Sequence, residues 1–224
     1  MDINEQNSNS KAELDILAHK NHEFEEEHLI DTGNNALKKK GKKSSYFFTT
    51  QDLLIASILG IMGGFISGLI PFSLLIKTWY PFVGGTQLVS GHHLLWMVIA
   101  YGLTGKKRTI FVTATIQGFM NFLFGSSWGI MEVGITLYEG IFLFIGMYLM
   151  QLFGESDTKL GWAIAAGIGN LSQVPLFWII TGKIYILHWS LFVMAMMFGF
   201  LSGILIAGVL GYLIVERIKK TGVI

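Results

Sequence analysis

From Phe47 onward the chain is a succession of apolar runs separated by short polar links, and each run is close to the roughly 20 residues a helix needs to cross a bilayer. The runs fall at about Leu53–Ile76, Val89–Leu103, Thr109–Phe124, Ile130–Phe153, Leu160–Ile180 and Trp189–Val215. Glycine is abundant at 27 residues and proline rare at 3, a usage that suits close-packed membrane helices better than strands. The predicted fold is therefore all-α: a polytopic membrane protein with six transmembrane helices in one bundle. Pro71 and Pro175 are expected to kink the first and fifth spans, with neighbouring helices satisfying the freed carbonyls.

The composition changes abruptly near Tyr46. Residues 1–45 carry an acidic cluster at Glu23, Glu25, Glu26 and Glu27, then a basic one at Lys38, Lys39, Lys40, Lys42 and Lys43. Such a segment buries too little apolar area to offset the entropy of ordering it, so a disordered cytoplasmic tail is expected at 1–45. The membrane domain is expected at 46–224. The tail has no apolar core followed by a cleavage site, so it does not read as a signal peptide. Its lysine run beside the first span is expected to touch anionic lipid headgroups rather than nucleic acid.

Topology follows from the basic residues. Lys38–Lys43, the Lys106-Lys107-Arg108 link, and Arg217, Lys219 and Lys220 mark one side, whereas the opposite loops carry Lys77 and Lys183. Positive residues on the inside place both termini in the cytoplasm of a cell membrane, as an even number of spans requires. The charge-mixed loop Gly154–Lys159 is also assigned to the cytoplasm.

With that orientation, His92, His93, Asn121, Glu132, Gln173 and His188 share the outer half of the spans. A polar or charged group inside a bilayer is expensive, about 2.5–3.5 kcal/mol for a central carboxylate, and marks a functional site by default. Gln117 lies one turn below Asn121, and Glu139 lies two turns below Glu132 on the same face. Trp96 and Trp128 are placed to offer aromatic surface to a pocket, while Trp79, Trp162, Trp178 and Trp189 sit near span ends, where indoles form an interfacial belt. His92 and His93 project about 100° apart on a helix, so one is expected in the pocket and the other outside it. Gln117, Asn121, Asn170 and Gln173 can equally serve to hold helices together. With no lysine or arginine inside the spans, Glu132 and Glu139 favour a cationic or amine-bearing small molecule, and the aromatics favour a flat one.

Enzyme signatures are missing: the chain has no H-E-x-x-H, G-x-S-x-G, P-loop or kinase set, and no cysteine. No catalytic residue, cofactor or metal site is expected, and any ATP-driven step belongs to a partner. A small-residue ridge, Ala56, Gly60, Gly64 and Gly68, recurs every four residues along the first span and is the candidate for partner docking. A second ridge, Gly199, Gly203, Ala207 and Gly211, is left to internal packing.

From Phe48 to the end the chain resembles the substrate-binding S components of energy-coupling factor (ECF) transporters. The resemblance rests on Phe48-Thr49-Thr50-Gln51-Asp52-Leu53-Leu54, the ridge of span one, Gly91-His92-His93-Leu94-Leu95-Trp96 with Gly102-Leu103, the Gly105-Lys106-Lys107-Arg108 link, Gln117-Gly118, and Gly125 to Gly129. It is nearest to the branch associated with thiamine or its hydroxymethylpyrimidine precursor. That resemblance implies vitamin capture at the external face, then association with a transmembrane coupling subunit and two ATP-binding subunits. It implies that Ala56, Gly60 and Gly64 meet the coupling subunit, and that Glu132, His92, Asn121 and Trp96 or Trp128 hold the ligand. Two other functions remain open: a proton-coupled secondary transporter using Glu139, and a membrane enzyme or assembly protein built on the polar rim.

Overall fold

Thr49 and Asp52 start the first helix by capping each other. Asp52 Oδ2 accepts from the Thr49 backbone N–H and hydroxyl, both at 2.7 Å, and Thr49 Oγ1 accepts from the Asp52 N–H at 3.2 Å. Two of the orphan donors of a helix start are satisfied in this way. A computed structural model describes residues 48–69, 85–186 and 188–222, and Phe48–Ile224 forms one compact unit. The expected 1–45 tail, Pro71, Lys77 and Trp79 lie outside the described residues.

The helices are α1 (Thr50–Leu69), α2 (Gly91–Thr104), α3 (Thr109–Leu123), α4 (Met131–Leu152), α5 (Lys159–Ile180) and α6 (Trp189–Ser202). A π-helical stretch, Gly203–Leu210, carries α6 without a break into α7 (Gly211–Lys220), so these three segments form the sixth span. Short 3₁₀ turns at Gly85–Leu88 and Lys183–Tyr185 precede α2 and α6. No strand occurs among the described residues. Four helical stretches are long and apolar enough to cross a membrane: Thr50–Gly68, Met131–Leu152, Lys159–Ile180 and Trp189–Lys220. The short ones, α2 and α3, have 14 and 15 residues.

The length of α2 is explained by its place. It runs through the middle of the bundle, in contact with α1, α3, α4, α5, the π segment and α7. Leu94, Met97, Val98 and Ala100 have no exposed surface, and Ile99 and Tyr101 are buried beside them. A helix wrapped by others on all sides need not match the bilayer thickness. Gly105 ends it in the left-handed conformation (φ 67°), its N–H returning to the Tyr101 carbonyl at 2.8 Å; glycine takes that conformation without the penalty a Cβ would bring. The link that follows is pinned at both ends. Lys106 Nζ pairs with Asp52 at 2.5 Å, and Lys107 donates to Gln151 of α4 and lies over the Tyr148 ring. Partial desolvation lowers the Lys107 pKa from the ordinary lysine value.

The small-residue ridges are helix contacts within this chain. On α1, a Cβ on Gly60 would lie 2.9 Å from Cβ of Ile116, and one on Gly64 would fall on Met120 and the Gln117 carbonyl. Ala56 is fully buried, with its carbonyl accepting from Thr113 Oγ1 at 3.4 Å. On the sixth span, Gly203 and Gly208 rest on the Ala163–Asn170 stretch of α5, and Gly211 rests on Val98. The faces turned outward are apolar: Leu54, Ile58, Met62 and Phe65 on α1, Met197 on α6 and Leu205 on the π segment. A continuous apolar outer surface of this kind suits a lipid environment.

One expectation is corrected at this level. Helix α5 runs through Pro175 to Ile180, the extent expected of the fifth span, but Trp162 and Trp178 are core residues rather than belt residues. Trp162 packs between Tyr101 and Tyr212 and donates Nε1 to the Ser156 carbonyl at 2.9 Å, while Trp178 packs edge-on against Phe192. Both rings lie at span ends, but their helix faces turn inward.

Candidate functional site

A cavity of about 470 Å³ opens at the end of the bundle away from Thr50 and Lys220. Its wall takes Ser67 and Gly68 from α1, Thr86 and Gln87 from the first 3₁₀ turn, and His92 and His93 from α2. Asn121 closes it from α3, Glu132, Thr136 and Glu139 from α4, and Gln173, Phe177 and Thr181 from the end of α5. Ser126, Ser127 and Trp128 of the α3–α4 link and Lys183 complete the rim. The volume suits a small molecule.

Seven residues apart on α4, Glu132 and Glu139 both face the cavity, as their spacing implies, but their surroundings differ. Glu132 is fully engaged: Oε1 accepts from Asn121 Nδ2 at 3.0 Å and Oε2 from Ser126 Oγ at 2.8 Å. Glu139 is deeper, only 2% exposed, and its Oε2 has no hydrogen-bond partner among the described residues. The same holds for Asn121 Oδ1, Gln117 Oε1, Gln87 Oε1 and Trp96 Nε1. Buried polar atoms in folded proteins are nearly always paired, so the orphans that border the cavity, Glu139 Oε2, Asn121 Oδ1 and Gln87 Oε1, mark where a ligand belongs.

Trp128 and Phe177 form the aromatic side of the wall, their ring centroids 5.2 Å apart. His92 is held from both ends. Its Nδ1 donates to the Val89 carbonyl at 2.8 Å, because a carbonyl can only accept, which leaves Nε2 to accept from Ser67 Oγ at 3.2 Å. His93 stacks on it at 4.0 Å and also borders the cavity. The expectation that only one histidine could do so is corrected: the two rings tilt toward each other and share the wall.

Of the residues singled out from sequence, His92, Asn121, Trp128, Glu132, Glu139 and Gln173 border the cavity. Trp96, Gln117 and His188 do not. Trp96 and Gln117 lie behind Gly63, whose Cβ would stand 2.7 Å from the indole and 3.0 Å from the amide carbon. His188 is exposed and caps α6, accepting through Nδ1 from the Ser190 N–H at 3.3 Å. Ala56, Gly60 and Gly64, expected to meet a partner protein, are covered by α3 instead. The ridge was visible in the sequence, but its occupant was not, since four-residue spacing reads the same for internal and external contacts. Ser67, Thr86, Gln87 and Lys183 carried no signal for the site, as polar residues at span ends and in links are ordinary.

Asn170 and the start of α2 brace the site from behind. Asn170 Nδ2 donates to Ser90 Oγ at 2.8 Å and to the Gly199 carbonyl at 2.6 Å, while its Oδ1 accepts from Gln173 Nε2 at 2.5 Å. Gly91, whose Cβ would fall on the Ser202 carbonyl, donates its N–H to Ser202 Oγ at 3.0 Å.

A family model described as the permease component of an ABC-type cobalt transport system matches residues 51–172 of this chain. The chain belongs to that family. The matched residues of this permease component run from α1 into α5 and include the wall residues Asn121, Glu132 and Glu139. It is a multi-pass membrane protein and a transporter component, not an enzyme. Its fold is similar to a solved structure described as the crystal structure of an S-component of ECF transporter, with a TM-score of 0.68 and 17% identity. That likeness covers 79% of this chain and 88% of the other. No curated protein matches this chain.

Proposed function

We propose that this chain is the S component of an ECF-type importer, capturing a small amine-bearing vitamin for partner subunits to internalise. Thiamine or its hydroxymethylpyrimidine precursor is the preferred ligand. The observation that carries the reading is the cavity itself, with a floor bearing the unpartnered Glu139 carboxylate and a wall bearing the Trp128–Phe177 pair. An aminopyrimidine offers N–H donors to such a floor and a flat face to such a wall. Glu132, Asn121, Gln173, His92 and Trp128 complete the proposed site. The cavity faces outward, both termini face the cytoplasm, and the segment 1–45 forms a cytoplasmic tail. A transmembrane coupling subunit and two ATP-binding subunits drive uptake, since no nucleotide-binding motif occurs in the sequence.

The family description names cobalt, and a divalent ion is the competing cargo. Such an ion needs several convergent nitrogen or carboxylate ligands. Among the described residues no three His, Asp or Glu side chains converge, and both ring nitrogens of His92 and both oxygens of Glu132 are engaged. The organic cation is the better fit. Native mass spectrometry and calorimetry of the full chain in detergent decide between them, using thiamine, hydroxymethylpyrimidine and Co²⁺. Micromolar or tighter binding of either pyrimidine is expected. Binding of Co²⁺ alone, or of none of the three by folded protein, overturns the reading.

A further inference from the structure

A side-chain amide can turn either its carbonyl or its NH₂ toward a cavity, and the partner behind it decides which. At this pocket the partners behind are acceptors. Asn121 gives its NH₂ to the Glu132 carboxylate, which can only accept, so its carbonyl is what remains. Gln117, one turn lower, gives its NH₂ to the His93 carbonyl at 3.1 Å. Gln173 gives its NH₂ to Asn170 Oδ1, and Asn170 cannot reverse, because its own NH₂ already serves the Gly199 carbonyl and Ser90 Oγ. Ser90 in turn donates to the Gln87 carbonyl at 2.8 Å.

The hydroxyls of the wall follow the same pattern. Thr136 donates to the Ala114 carbonyl at 3.0 Å, Ser126 to Glu132, and Thr181 to the Phe177 carbonyl at 2.6 Å. These donors are spent inside the protein and their lone pairs are left over; the donor that the helix-borne wall keeps is the ring N–H of His93. The buried orphans that border the cavity, Asn121 Oδ1, Gln87 Oε1 and Glu139 Oε2, are all oxygens, whereas the orphan donor Trp96 Nε1 lies behind the wall.

We infer, taking the cavity as the capture site proposed above, that its helix-borne wall is an acceptor-rich surface recognising N–H donors on the ligand, with Asn170 as the positioning residue that fixes the polarity of Gln173. Asn170 is fully buried and does not border the cavity, so it acts only through Gln173 and the 85–90 turn. A ligand of the right shape without N–H groups leaves the oxygens unpaired and is rejected, as sites built around buried polar groups reject analogues that cannot pair with them.

The test uses the full chain in detergent and two probes with the same ring, 4-aminopyrimidine and 4-(dimethylamino)pyrimidine, alongside thiamine and hydroxymethylpyrimidine. The wild-type chain is expected to prefer 4-aminopyrimidine by about tenfold or more in Kd. Asn170→Ala frees Gln173 to turn and reduces the preference to about threefold or less. Asn170→Asp still accepts from Gln173 and keeps the preference, although it loses both donations that Asn170 makes; a purely structural role would make it fail with the alanine variant. Equal affinity for the two probes, binding of neither by folded wild-type chain, or loss of the preference in Asn170→Asp overturns the inference. Should Asn170→Ala not fold, the wild-type ratio and Asn170→Asp still decide. Failure of both vitamins with the probe preference intact would remove the vitamin reading and leave the polarity standing. Vitamin binding without the preference would do the reverse.

Discussion

Asn121 Nδ2 and Glu132 Oε1 stand 3.0 Å apart and join the end of α3 to the start of α4 at the cavity wall. With Ser126 on its other oxygen, Glu132 is a clasp that holds the α3–α4 link in place as much as it is a wall residue.

Glu132→Gln is therefore expected to act first on stability. Glutamine keeps one accepting oxygen for Asn121 but turns an NH₂ toward Ser126, so the Ser126 hydroxyl loses its acceptor, and the charge assistance is lost as well. The expected cost is about 1.5–3 kcal/mol. Thermal unfolding in detergent measures it; an unchanged midpoint would show that the clasp contributes nothing.

Glu139→Gln is expected to behave in the opposite way. The carboxyl group is buried with an unpartnered oxygen, and an amide of the same shape, which carries no ionisable proton, leaves stability equal or raises it. Thiamine or hydroxymethylpyrimidine affinity should fall about tenfold or more, because the carboxyl group on the floor is lost. Calorimetry and unfolding on one preparation read both quantities. Lowered stability with intact affinity would remove Glu139 from the site.

Gly60→Leu should damage the bundle itself. Ile116 and the Thr113 carbonyl occupy the space that a side chain there needs, at 2.9 and 3.0 Å from its Cβ. Overpacking of this kind costs about 1–3 kcal/mol, and ligand binding should weaken along with stability because α1 and α3 both border the cavity. A variant with full stability and binding but no uptake would return this ridge to a partner protein.

Asp52→Ala should cost more than Lys106→Met. Asp52 caps α1 and pairs with Lys106, so its loss removes a helix start as well as an ion pair, about 1–2 kcal/mol. Lys106→Met removes the pair alone at a partly exposed position, about 0–1 kcal/mol. Equal losses in thermal unfolding would mean that the cap contributes nothing beyond the pair.

The helical architecture was legible because a bilayer imposes length and hydropathy on each span. Expected and observed ends agree within a few residues for α3, α4 and α5. The last span runs on to Lys220 rather than stopping at Val215, since the turn bearing Arg217, Lys219 and Lys220 continues the helix beyond the apolar run. Hydropathy reports where the membrane ends, not where the helix does.

Asn121, Glu132, Glu139 and Gln173 could be picked out from sequence for one reason: each is a polar side chain in an apolar span, and such residues are too costly to be incidental. Gln117 has the same signature and sits behind the wall beside Gly63, as does Trp96, which was singled out for its aromatic surface. Hydropathy gives the depth of a residue but not the rotation of its helix, and a difference of one helix face separates a wall residue from a packing residue.

The sequence by itself determined that this is a bundle of membrane helices and at what depth its polar residues lie, because hydrophobic thickness is a one-dimensional constraint. Only the tertiary structure decided which of those residues meet, that the ridge of α1 is covered by α3, and that Glu132 is engaged while Glu139 is not. Those outcomes depend on helix rotation and on hydrogen bonds between distant segments, such as Asn170 with Ser90 or Gln117 with His93. A hydrogen bond requires donor and acceptor to be placed within a few tenths of an ångström, a condition set by the packing of the whole bundle and written in no single span.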